Sequence, residues 1–110
     1  MVSEQEILKA KILIVDDQKL QALFLENILK EAGYKNIHTT INLRETIKIF
    51  QNFRPDVLLL DITTPAVDGF RIVQQIREMQ KDSYFPILAL SSEKGQEVRL
   101  RALGAGATDI

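Results

Sequence analysis

The chain contains no cysteine, so disulfides, thiol catalysis and thiolate metal sites are excluded. That absence suits a reducing compartment, and a cytoplasmic location is expected. No apolar run approaches the roughly 20 residues needed to cross a bilayer. The start, Met1 to Ala10, is mixed and carries Glu4 and Glu6, so it does not read as a signal peptide. There is no excess of one charge. A formal net charge of -1 gives no reason to expect direct nucleic acid or membrane binding. No glycine-rich loop follows the first apolar run, which removes a nucleotide-binding domain from consideration. The only histidine, His38, lies in a polar segment and is assigned no catalytic role. Repeats, low-complexity tracts and internal linkers are also missing.

What is there is ordinary in bulk and ordered in detail. A length of 110 residues, 45% hydrophobic and 26% charged, suits one soluble domain with one core. Three short apolar runs stand out: Ile12-Leu13-Ile14-Val15, Val57-Leu58-Leu59-Leu60 and Ile87-Leu88-Ala89-Leu90. None alternates with polar residues, as expected of parallel strands buried on both faces. A fourth candidate, Asn36 to Thr40, is more polar and suits an edge.

Helical patterns fill the gaps. From Gln18 to Ala32 the residues Leu20, Phe24, Ile28 and Ala32 recur every four positions, with Leu25 and Leu29 widening the stripe. This stripe is expected to face the core. Gly33 is a C-terminal stop. Asn42 and Glu45 resemble a capping box, with Ile47 and Phe50 on the apolar face beyond it. Arg54-Pro55-Asp56 ends that helix. A third helix is expected from about Phe70 to Lys81, with Phe70, Val73, Ile76 and Arg77 at helical spacing. A fourth is expected from about Gly95 to Leu103, with the start of a fifth strand at Thr108 to Ile110.

Strands and helices thus alternate, which predicts an α/β fold with a parallel sheet and helices on both faces. Right-handed crossovers and an edge position for the polar strand lead to the order 2-1-3-4-5, the flavodoxin-like arrangement. Its ligand crevice lies at the carboxyl ends of strands one and three. Asp16 and Asp17 directly follow strand one, and Asp61 follows strand three. Three carboxylates converging there require a retained proton or a bound cation. Mg²⁺ suits such an oxygen-rich site. With its charge offset, an Asp carboxylate can act as nucleophile toward a phosphoryl group. The plainer reading is that Asp16 or Asp17 caps the following helix. Ser91 and Ser92 follow strand four and open onto the same edge. Either could cap a helix, and Ser91 could also donate a hydrogen bond to a phosphoryl oxygen.

At this point the residues resemble the receiver domain of two-component response regulators. Ile12 to Asp17 is similar to that family's first strand and acidic pair. Asp61-Ile62-Thr63-Thr64-Pro65-Ala66-Val67-Asp68-Gly69 is similar to its phosphoacceptor loop. Pro86 to Ser91 resembles its fourth strand and switch hydroxyl, and Ala102 to Asp109 the approach to strand five. The resemblance covers residues 11–110 and leaves 1–10 as an N-terminal extension. It implies that Asp61 takes phosphate from a phosphohistidine on a sensor histidine kinase or phosphotransfer protein. It also implies that Asp17, Asp61 and the Thr63 backbone carbonyl ligate Mg²⁺, with Asp16 acting mainly through water. Ser91 would swing toward the phosphoryl group, and Thr63 and Glu93 would tune dephosphorylation. The chain would then be a signalling domain catalysing only its own phosphorylation and dephosphorylation. Asp68 and Gly69 more simply shape the turn into the next helix.

Two departures accompany the match. Receivers carry a lysine at the end of strand five, and the sequence stops before that place, so strand five and the last helix are expected to be incomplete or absent. Were these residues the whole molecule, strand four would present an unpaired edge, and weak folding, a swapped dimer or edge association would follow. Ile110 stands where many receivers place a Tyr or Phe that moves with the switch hydroxyl, so the output switch is expected to depend more on Ser91. Lys19, Lys94, Arg99 and Arg101 are read as solvated. The competing readings are a receiver-like interaction module without phosphoryl turnover, and a phosphohydrolase suggested by Asp61-Ile62-Thr63. The second lacks the further motifs such enzymes need.

Overall fold

The computed structural model describes residues 3–61, 69–80 and 85–90, with backbone alone at 89 and 90. The expected fourth helix and fifth strand lie outside the described residues, as do Ile62 to Asp68. In chain order the elements are α1 (Glu4–Ile7), β1 (Lys11–Val15), α2 (Lys19–Glu31) and β2 (Asn36–Thr40). A 3₁₀ turn (Leu43–Glu45) follows, then α3 (Thr46–Phe53), β3 (Val57–Asp61), α4 (Gly69–Met79) and β4 (Ile87–Leu90). The four strands are parallel in the order β2-β1-β3-β4, so the expected topology holds over the described residues. None of the described helices is long and apolar enough to cross a membrane.

Alternation along the strands sorts the side chains between two sides of the sheet. Leu13 and Val15 of β1, Leu58 and Leu60 of β3 and Ile87 of β4 join Phe50 of α3 and Ile72, Val73 and Ile76 of α4 in one core. Phe85 completes it, its ring meeting Phe50 edge-on with centroids 5.3 Å apart. The alternate residues Ile12 and Ile14 point to the other side, where α2 packs against β1 and β2. Helices therefore cover both faces, α3 and α4 on one and α2 on the other.

On α2 the expectation is overturned. Leu20, Phe24 and Ile28 are exposed (83%, 65% and 46%), and Ala32 is exposed as well. The buried residue of this helix is Ala22, with Leu25 and Leu29 half-buried beside it. The physical reason is close approach. A small residue on the side packed against β1 and β2 allows a close helix–sheet contact, and Ala22 is 1% exposed there. The helix is apolar around much of its circumference, so the four-residue repeat marks a seam without saying which way it faces.

Helix ends follow the sequence closely. Gly33, at φ 106°, ends α2 in a Schellman motif, with the Tyr34 N–H donating to the Leu29 carbonyl and the Gly33 N–H to the Lys30 carbonyl. The expected capping box at Asn42 is a different device. Its side-chain oxygen accepts from the Arg44 N–H at 3.1 Å and so starts the 3₁₀ turn. The helix proper begins at Thr46, whose buried hydroxyl donates to the Leu43 carbonyl at 2.6 Å. Arg54 leaves α3 in the left-handed region at φ 52°.

The amino-terminal residues are folded onto the domain. Ser3 caps α1 by accepting from the Glu6 N–H. Leu8 lies against Gly33, so close that a Cβ there would stand 3.1 Å from Leu8 Cδ1. The Asn36 side chain donates to the Lys9 carbonyl. At the amino edge of the sheet, Asp56 clasps Lys11. The Lys11 N–H donates to Asp56 Oδ2 at 2.8 Å, and the Asp56 N–H donates to the Lys11 carbonyl at 2.7 Å.

Candidate functional site

The register of the two central strands builds the site. Ile12 pairs with Val57, and each later residue pairs in step up to Val15 with Leu60. The next residues along are Asp16 and Asp61, so the two carboxylates emerge side by side at the carboxyl edge. Both share the strand parity of Ile14 and Leu59, which aims them to the same side. The outer neighbour β2 holds Asp16 in turn, since the Asp16 N–H donates to the Thr40 carbonyl at 3.1 Å. Order 2-1-3 makes this edge the switch point of the sheet, where open α/β folds bind ligands.

One carboxylate oxygen from each of Asp16, Asp17 and Asp61 lies within 4.8 Å of the others. Asp16 and Asp61 are buried and Asp17 is exposed. Asp16 Oδ1 accepts from the Gln18 N–H at 2.9 Å, while its Oδ2 is buried with no hydrogen-bond partner. Burial pushes the Asp16 carboxyl up from its ordinary 3.8 to about 6. The Gln18 N–H opposes the rise, while the nearby Asp61 and then Asp17 charges add to it. Such a site is short of positive charge. An orphaned buried carboxylate oxygen facing two further carboxylates fits a hard divalent cation, whose ligands are oxygens and whose shell can extend into water beside exposed Asp17.

The capping alternative does not describe either aspartate. The N-cap of α2 is Gln18, and Asp16 instead forms a local turn with the Gln18 N–H just ahead of the helix. That backbone contact was missed in the sequence, though an Asp side chain accepting from the backbone two residues on is a known turn device. The support from Thr40 had no sequence signal beyond the strand order. Of the other expected site residues, Thr63, Ser91, Glu93 and Ile110 lie outside the described residues.

Fold and site together define a doubly wound α/β domain with an acidic cluster at its switch point. Residues 12–110 match the sequence profile of the response regulator receiver domain. The chain belongs to that family. It is 31% identical over 100 residues to the chemotaxis protein CheY of Thermotoga maritima, covering 91% of this chain and 82% of that protein. The solved structure of the chemotaxis response regulator CheY4 of Vibrio cholerae superposes with a TM-score of 0.81 at 32% identity, covering 91% of this chain and 82% of that one. A protein-glutamate methylesterase/protein-glutamine glutaminase of Archaeoglobus fulgidus is 36% identical over 102 residues, but the chain spans only 28% of it. The chain is thus similar both to proteins little longer than itself and to a part of much longer ones.

Proposed function

We propose that this domain is a phosphoacceptor switch of a two-component phosphorelay, working in the cytoplasm and taking a phosphoryl group onto Asp61. The observation that carries the reading is the company Asp61 keeps: buried, next in register to Asp16, and within one oxygen cluster with Asp17. In this reading an Asp61 oxygen attacks the phosphorus of a phosphohistidine. A P–O bond forms, the P–N bond breaks, and its electron pair returns to the imidazole nitrogen. Mg²⁺, when bound, offsets charge on the phosphoryl oxygens. Asp17, Asp61 and the Thr63 carbonyl would hold it directly, and Asp16 through water. Burial of Asp61 keeps bulk water from its carboxylate and slows loss of the acyl phosphate. Ser91 would donate to the phosphoryl group, Thr63 and Glu93 would set the lifetime of the phosphorylated state, and Ile110 would leave the output response to Ser91.

The donor is a sensor histidine kinase or phosphotransfer protein. A donor that reaches Asp61 must approach the carboxyl edge, where Asp17 leads directly into α2. The exposed side chains of Leu20 and Phe24 on that helix suit an apolar helix face on the donor.

The test is binding of beryllofluoride, a phosphoryl mimic, in the presence of Mg²⁺. Wild type should bind, and Asp61→Asn should not while melting cooperatively. If wild type fails to bind under conditions where it is folded, the domain is a receiver-like interaction module without phosphoryl turnover.

A further inference from the structure

We draw no further inference here: the strongest candidate, the exposed apolar stripe of Leu20, Leu23, Phe24 and Ile28 along the outer side of α2, belongs to the donor approach already proposed, and nothing in the structure shows what else covers it.

Discussion

The two sides of the sheet are packed in different ways. Under α3 and α4, Leu13, Val15, Leu58, Leu60 and Ile87 are all fully buried. On the α2 side Ile12 and Ile14 are buried, but Val57, Leu59 and Leu88 are only half-buried. The helix lying there turns four large apolar side chains outward, Leu20, Leu23, Phe24 and Ile28. One side is a closed apolar core among the described residues. The other buries Ile12 and Ile14 of the central strand and leaves apolar side chains of α2 exposed. Among the described residues, burial is concentrated on the first side and exposed apolar side chains on the second.

The comparison can be broken by substitution. The largest effect is expected at Leu58, which is 0% exposed. Leu58→Ala should cost about 2–5 kcal/mol in urea denaturation, while Leu59→Ala, its half-buried neighbour, should cost clearly less. Equal losses would erase the distinction between the sides. Next is Ala22, where α2 meets the sheet. Ala22→Leu should push the helix outward and cost roughly 1–3 kcal/mol, with hydrogen exchange rising in α2 and β1 but not in α4.

A smaller effect comes from Asp16, through pH. Its carboxyl titrates near 3.8 when unfolded and about 6 when folded, so the folded state holds the proton longer. Its contribution to the stability of the metal-free protein is therefore full below about pH 4 and lost as pH rises through about 6. Chelated wild type should lose stability across that window relative to Asp16→Asn. Added Mg²⁺ should restore stability above the window and do little below it. A flat difference between the two proteins would remove the electrostatic account of the cluster.

The smallest stability effect belongs to the outer stripe. Leu20→Gln and Phe24→Gln should change unfolding free energy by no more than about 0.5 kcal/mol. Both should slow phosphotransfer from a histidine donor protein while leaving phosphorylation by a small acyl phosphate unchanged. Loss of both activities would mean that α2 supports the acidic site rather than the donor.

Over the described residues, strand identity, order and the positions of the aspartates were legible in the sequence, because continuous apolar runs followed directly by Asp residues leave few arrangements. Asp16 and Asp61 had to meet once strands one and three were neighbours. The direction of the α2 stripe was not legible. Periodicity reports that Leu20, Phe24 and Ile28 share a seam, but the choice of inner side depends on how closely Ala22 can approach Ile12 and Ile14, which is a property of packing. The turn formed by Asp16 with Gln18 is equally a matter of backbone geometry. Asn42 announced a helix start, but the 3₁₀ turn between it and α3 depends on Thr46 reaching back to Leu43.

The clasp between Lys11 and Asp56 sits at the far end of the sheet from the acidic cluster, in the same register that brings Asp16 beside Asp61. Paired strands can shift only in whole residues, and each step reverses which side a residue faces. A slip of one position between β1 and β3 would set Asp16 against Leu60 or Ile62 and turn Asp61 to the opposite side. The clasp works as a zero mark on a ruler. Counting from it, the residue that arrives beside Asp16 lies about five residues, roughly 16 Å, further along. The place of Asp61 beside Asp16 is in step with a contact that Asp61 never touches.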